Sequence, residues 1–280
     1  MRSDRRQTMP ELPEVETVRR GLEGALVGKE IASVSLRRSG LRWPFPVRMA
    51  ERLAGVTVLR IHRLGKYMLA DLSGGETLII HLGMSGGFSI AGVDDPHTHV
   101  SFRLRDGSRI TYRDPRRFGM MDLESTDRIN QHPLLASLGP EPLGNGFHGP
   151  YLHAQLKMRR SPVKSTLMNQ RIVAGLGNIY VCESLWQAGI SPLRRSDRIA
   201  APRVQRLVEC VRSVLHEAIA AGGSTLRDHR QPDGEFGCFQ HDFSVYGRES
   251  ETCRRPGCAG MVRRVIQSGR STFYCGACQR

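Results

Sequence analysis

Acidic side chains are what this 280-residue chain is short of: 27 Asp and Glu stand against 41 Lys and Arg, a net charge of +14. A fold gains nothing from such an excess, whereas attraction to a polyanion does. Nucleic acid is the partner this predicts, ahead of an anionic membrane surface. Long apolar runs are missing too. No segment approaches the roughly 20 residues that span a bilayer, and no basic amphipathic helix with a Trp/Phe face offers itself to a membrane surface. The basic start Met1-Arg-Ser-Asp-Arg-Arg is followed by no apolar stretch. No secretory signal is therefore read, and the cytoplasm, at the nucleoid, is the expected location. Internal repeats and low-complexity tracts are absent. Seven cysteines without a signal peptide argue against a disulfide framework. Three of them, Cys182, Cys210 and Cys238, are isolated and read as small buried apolar side chains.

The 39% of apolar residues suits a globular protein, and the length allows two domains with a small appendage. Val15, Val18, Leu22 and Leu26 fall near helical spacing and predict a helix over 14–27. Pro13 suits its first turn, Glu14 and Glu16 its N-terminal dipole end, and Gly28 its stop. From 31 to 125 the pattern changes to short β-rich runs, such as Lys66-Tyr-Met-Leu-Ala-Asp-Leu and Thr77-Leu-Ile-Ile-His-Leu, with Ser73-Gly74-Gly75 as a hairpin turn between these two. Such spacing predicts a β-sandwich or barrel. The Gly/Pro-rich stretch 138–149 reads as a linker. Residues 150–222 read as helical, with Val204 to Ile219 amphipathic. Residues 223–245 lack periodicity, and a loop that long in a compact domain is often functional. The expected class is α+β.

Near the C-terminus, Cys253-x4-Cys258 and Cys275-x2-Cys278 are sixteen residues apart, the spacing of a zinc ribbon. Strands over 262–267 and 270–274, joined at Ser268-Gly269, would bring the two knuckles together. Four thiolates leave no open coordination position, so one zinc ion here is structural, and its binding supplies stability that so small a segment lacks. From Cys253 onward there are six arginines and no acid. That charge suits a DNA-facing module. Arg270, at the predicted hairpin tip, reads equally as an outward-reaching arginine or an ordinary solvated one.

The chain also carries Met9-Pro10-Glu11-Leu12-Pro13-Glu14, His81-Leu-Gly-Met-Ser-Gly, Asp114-Pro-Arg-Arg-Phe-Gly, Gly175-Leu-Gly-Asn-Ile-Tyr and Gly269-Arg-Ser-Thr-Phe-Tyr-Cys. In this order, with the cysteine spacing, they resemble bacterial formamidopyrimidine-DNA glycosylases over nearly the whole chain from Met9. The resemblance implies a base-excision-repair enzyme that removes oxidised purines and then cleaves the abasic strand, acting on double-stranded DNA with oxidised bases or abasic sites; the lack of an obvious interface in the sequence makes a monomer the expectation. It implies an N-terminal β-sandwich with a flanking helix (10–137), a helix–two-turn–helix domain with a lesion-recognition loop at 223–245 (150–245), and a zinc ribbon (246–280). DNA is expected in a basic cleft between the main lobes.

Residue by residue, Pro10 matches the nucleophile and Glu11 the acid/base. Lys66 and Arg270 match residues assisting β- and δ-elimination. Asn178 matches a phosphate-gripping asparagine. Met84, Arg116 and Phe118 match the side chains that fill the space left by a flipped base, and His97 and Arg159 match further DNA contacts. Glu14, Lys164 and the 223–245 loop correspond to the damage-recognition pocket. The residues taken alone leave other readings open: Pro10-Glu11 a loop before a helix, Lys66 an edge-strand lysine, Asn178 a plain N-cap, Met84 and Phe118 core side chains. An endonuclease VIII-like glycosylase that removes oxidised pyrimidines instead, and a zinc-ribbon DNA- or RNA-binding module without chemistry, are the alternative functions.

Two departures stand out. Eight residues, Met1 to Thr8, precede Met9. While they remain attached, Pro10 is a tertiary amide with no lone pair for attack. The expectation is that residues 1–9 are absent from the active protein, since Met9-Pro10 suits methionine removal. The first knuckle is Cys-x4-Cys where many relatives have Cys-x2-Cys, and both lengths suit zinc.

Overall fold

The computed structural model describes residues 9–90, 92, 94–224, 232 and 237–280. The expected N-terminal extension up to Thr8, and residues 225–231 and 233–236 of the expected recognition loop, lie outside the described residues. The chain forms two compact units. One runs to Ala136 and includes Ala221–Cys238; the other comprises Ser137–Ala220 and Phe239–Arg280.

The first unit opens with helix α1 (Leu12–Leu26), which begins two residues earlier than its apolar spacing suggests. The cause is a capping box: Glu11 at the N-cap accepts from the backbone of Glu14, and the Glu14 carboxylate accepts from Glu11 N at 2.9 Å. Then come β1 (Ile31–Leu36), the short α2 (Met49–Leu53), β2 (Val58–Leu64), β3 (Tyr67–Leu72), β4 (Glu76–His81), β5 (Gly87–Ile90), β6 (Thr98–Leu104), β7 (Arg109–Arg113) and β8 (Met120–Ser125). They form two antiparallel four-stranded sheets, ordered β1-β6-β7-β5 and β2-β3-β4-β8. The turn at 73–75 joins β3 to β4, as its Ser-Gly-Gly predicts. Val100, Phe102, Ile110 and Tyr112 of one sheet share a single buried cluster with Met68, Ala70, Leu78 and Ile80 of the other, and Val15, Val18 and Leu22 of α1 enter it. This is a β-sandwich with a helix against it.

The second unit contains α3 (Gly149–Lys157), α4 (Val163–Leu167), α5 (Asn178–Gln187), α6 (Ala201–Ala220) and the hairpin β9 (Val262–Gln267) and β10 (Arg270–Cys275). Residues 138–149 are not a loose linker. The Arg212 guanidinium donates to the carbonyls of Pro142, Gly144 and Phe147, Phe147 is fully buried, and Gly139 N donates to Gln170 O. A Gly/Pro-rich composition signals irregular backbone, and here a side chain from α6 satisfies that backbone's carbonyls.

The expected 223–245 segment is divided between the units. Its beginning stays with the sandwich, where Ser224 bridges to Cys238. Its end joins an aromatic row in the second unit, Tyr180–Phe239–Phe243–Tyr246–Phe273, with ring centroids 5.0–5.9 Å apart. Cys182 and Cys210 are buried, but Cys238 is exposed, contrary to expectation, because it lies on an irregular loop edge and not on a helix.

Candidate active site, nucleic-acid contacts and metal centre

In the first unit, Pro10 and Glu11 are buried at the mouth of α1. Glu16, one turn further on, binds Arg19, Arg20 and Arg63. Burial pushes its acid up, but the hydrogen bonds from Arg19 and Arg20 and the nearby Arg63 overcome this and hold it below the ordinary value. Arg63 also donates to Gly65 O at 2.9 Å, and Arg19 to Ile61 O at 3.1 Å. These bonds fix α1 against the β2–β3 hairpin, whose two-residue turn, between the paired Leu64 and Tyr67, carries Lys66. Lys66 is only 7% exposed, so it is not the solvated edge lysine its strand position allows.

Beside it stands His81, a residue the sequence reasoning did not single out. Its ring packs on Tyr67 at 4.9 Å, and its Nδ1 accepts from Gly83 N at 3.0 Å. Burial first, then the charges of Lys66 and Arg42, push it down to about 4. It is neutral near pH 7, with the proton on Nε2 as donor. Its place at the head of the His81-Leu-Gly-Met-Ser-Gly motif was the available signal.

Met84, Arg116 and Phe118 lie on two loops that the fold presses together. Gly83 (φ +65°) is the contact point: a Cβ there would stand 2.3 Å from the Phe118 carbonyl carbon and 2.4 Å from Gly119 N, so only glycine fits. The fully buried Asp114 organises the second loop. Its carboxylate accepts from Ser85 Oγ at 2.5 Å and Gly119 N at 2.7 Å, while its carbonyl accepts from Arg117 N and meets His99 Nε2. Ser85 Oγ in turn accepts from Arg116 N at 3.0 Å. The Arg116 guanidinium lies over the Phe118 ring at 4.9 Å. Phe118 is 42% exposed and Met84 partly so. Neither Phe118 nor Met84 is a core residue. His97 is exposed on the approach to β6.

Glu14 does more than cap. Its Oε1 accepts from both Ser224 N and Ser224 Oγ at 2.8 Å, which ties Ser224 to the α1 N-terminus. The Pro232 carbonyl accepts from Ile90 N at 2.9 Å, and the Pro232 ring packs on Gly21 of α1.

In the second unit, α4 and α5 are joined through two turns that the Gln170 side chain clamps: it donates to Leu176 O and Met168 O and accepts from Gly175 N. Asn178 opens α5. Its amide nitrogen donates to Ser271 O at 2.9 Å and to Tyr246 Oη at 3.3 Å, while its buried Oδ1 has no hydrogen-bond partner among the described residues. Arg159 is half-buried and donates to Gln155. Lys164, expected to contact DNA, has no exposed surface: its Nζ donates to Thr272 Oγ1 at 2.7 Å and to Ser271 O at 3.2 Å. A buried ammonium needs such acceptors, and these lie on β10, so Lys164 positions the segment following Arg270. Arg270 itself is exposed at the hairpin tip, beyond the Ser268-Gly269 turn, where both residues have positive φ.

At the base of that hairpin the Sγ atoms of Cys253, Cys258, Cys275 and Cys278 all lie within 4.8 Å of one another. The pairs 253–278 and 258–275 stand at 3.8 and 3.7 Å, close to the ~3.8 Å edge of a tetrahedron with metal–sulfur bonds of about 2.3 Å. Trp186 Nε1, Arg255 N and Gly260 N donate to Cys253 and Cys258 sulfurs. The four cysteines can hold a metal ion. Among the described residues no other such cluster occurs. No helix among them is long and apolar enough to cross a membrane.

The chain matches the family model of the formamidopyrimidine-DNA glycosylase N-terminal domain over residues 9–121 and that of the formamidopyrimidine-DNA glycosylase H2TH domain over 138–230. It is 61% identical to the formamidopyrimidine-DNA glycosylase of Ruegeria pomeroyi and 58% identical to that of Cereibacter sphaeroides, in each case over 97% of this chain and all of the relative. Among solved structures it is similar to the MutM (Fpg) protein of Thermus thermophilus (TM-score 0.86, 40% identity, 96% of this chain and 98% of that one). It is also similar to Lactococcus lactis Fpg in complex with abasic-site DNA (TM-score 0.87, 34% identity, 96% and 99%).

Proposed function

The chain belongs to the formamidopyrimidine-DNA glycosylase family, and on that premise we propose that it excises oxidised purines from duplex DNA and then cleaves the abasic strand by β- and δ-elimination through Pro10. It is a base-excision-repair DNA glycosylase. The Lactococcus lactis relatives in complex with abasic-site and Fapy-dG DNA support the substrate class.

The observation that carries the reading is the burial of Pro10 and Glu11 together at the N-terminus of α1. The positive end of a helix disfavours a second cation, so an α-amino group there is favoured in its neutral, nucleophilic form. With residues 1–9 removed, the Pro10 nitrogen is a secondary amine. Its lone pair attacks C1′ of the damaged nucleotide, and the glycosidic bond breaks as the base leaves. Glu11 protonates the sugar ring oxygen, which opens the ring and leaves an iminium ion. Proline has no second N–H to lose, so the cation persists and acidifies the C2′ proton, and departure of the 3′ phosphate follows. Lys66 faces that phosphate. Arg270 assists loss of the 5′ phosphate.

Before the chemistry the base must leave the stack. Met84 and Phe118 enter the vacated space, and the Arg116 guanidinium, placed over the Phe118 ring, hydrogen-bonds the orphaned partner base. His97, Arg159 and the α5 N-terminus at Asn178 hold phosphates; because the Asn178 amide already serves Ser271 and Tyr246, the backbone N–H groups of α5 supply donors there. Zinc is the ion proposed for the four cysteines, where it would hold the β9–β10 hairpin together.

Borohydride trapping on an 8-oxoguanine duplex tests this, comparing the 280-residue chain with one beginning at Pro10. Only the latter should become covalently linked to DNA. Equal trapping with residues 1–9 intact would remove Pro10 from the nucleophile's role; no trapping by either would leave a DNA-binding protein without lyase chemistry.

A further inference from the structure

The outward face of the β1-β6-β7-β5 sheet, none of whose lining residues is used above, holds a cluster of cations. Val34 and Leu36 pack on the core, so Ser33 and Ser35 face away from it. By the same alternation Ser101 and Arg103 face away on β6 and Arg109 on β7. The strand register sets Ser33 opposite Arg103, Ser35 opposite Ser101, and Arg103 opposite Arg109. These residues, with Arg37 and Asp94, line a groove of about 360 Å³, within the range of small-ligand sites.

Its charge balance is unusual. Three arginines surround one acid. Asp94 pairs with Arg37 at 2.6 Å and with Arg109, and Arg109 also donates to Ser101 Oγ at 3.0 Å. The Arg103 side chain has neither an ion pair nor a hydrogen bond among the described residues, although it stands directly across from Arg109. Like charges directly opposite on neighbouring strands destabilise a sheet. A dianion between them removes that repulsion, and the two serine hydroxyls add donors suited to phosphate oxygens.

We propose that this groove binds a phosphate group, with Arg103 and Arg109 as its cationic walls and Ser33 and Ser35 as hydroxyl donors. The group can come from a free phosphomonoester or from the backbone of a second DNA segment. The inference does not depend on the glycosylase reading.

The test is NMR of the full chain titrated with inorganic phosphate. The amide signals of residues 33, 35, 103 and 109 should shift along a saturable curve. Arg103→Gln should weaken binding roughly tenfold, the worth of one charged hydrogen bond, with signals elsewhere unchanged because Arg103 is exposed. Ser33→Ala combined with Ser35→Ala should weaken it as well. Two competitors then identify the source on a chain already carrying one equivalent of abasic-site duplex. Displacement of phosphate by a second, undamaged duplex assigns the site to DNA backbone, and displacement only by a nucleoside monophosphate assigns it to free phosphomonoesters. Absence of a saturable shift, or shifts that Arg103→Gln leaves unaltered, would overturn the proposal.

Discussion

Glu183→Gln probes how the cysteine-bearing hairpin is rooted in the second unit. Glu183 lies on α5, 4% exposed, and its carboxylate accepts three consecutive backbone N–H groups: Ser244 at 2.8 Å on Oε2, and Val245 at 3.0 Å and Tyr246 at 2.8 Å on Oε1. Glutamine has the same shape but only one accepting end. Its best orientation keeps the oxygen on Val245 and Tyr246 and turns the NH2 toward Ser244 N–H, which then has no acceptor. An orphaned buried donor costs about 1–3 kcal/mol, and the two surviving bonds lose the assistance of a full charge. Against this, glutamine avoids the desolvation of a buried carboxylate, which pushes the Glu183 acid upward despite the three N–H groups. The balance is a loss of about 2 kcal/mol, or roughly 6 °C in the unfolding midpoint of a domain of this size.

Calorimetry or urea unfolding measures that loss, and hydrogen exchange at Ser244 to Tyr246 locates it. The acid also has a pH signature. Its folded-state value lies above the ordinary 4.5, so the folded form binds the proton more firmly than the unfolded one. That contribution is complete below 4.5 and fades as pH rises through the raised value; Glu183→Gln should abolish the slope. A variant as stable as the parent, with unchanged exchange at the three amides, would refute the assignment of Glu183 as the anchor.

His81 carries the opposite sign. Its folded value is depressed to about 4 from 6.5, so the unfolded chain takes up the proton first and stability should decline as pH falls from 6.5 toward 4; His81→Gln should flatten that decline in pH-dependent unfolding curves. Metal removal should act locally: a strong chelator should release one equivalent of zinc and raise hydrogen exchange through residues 253–278, while the β-sandwich amides keep their protection. Release of no zinc, or exchange rising equally in both units, would contradict a structural ion confined to the four cysteines.

What could be read from the chain, and what could not, divides along a physical line. The four cysteines were legible because metal ligands announce themselves by spacing within a short hairpin, and the helix over α1 because its apolar period is local. Even there the start was misplaced, since a Glu at the N-cap is a weaker signal than Pro13, and only the reciprocal bond with Glu14 reveals it. Residues that aim others were harder. Lys164 looks in sequence like any basic residue offered to DNA; its partners Ser271 and Thr272 lie over a hundred positions away. Asp114 was visible only as the first letter of a motif whose Arg116 and Phe118 drew attention, although its carboxylate shapes their loop. The stretch 138–149 read as a linker because composition reports irregular backbone without reporting Arg212, which binds it. Lys164, Asp114 and Arg212 each meet a polar partner at least 29 positions away. The low-dielectric interior makes an unpaired member costly, so the fold must supply the partner, yet no local pattern encodes which partner it will be. Substitutions at Lys164, Asp114 or Glu183 should therefore alter function through geometry while leaving every recognisable motif intact.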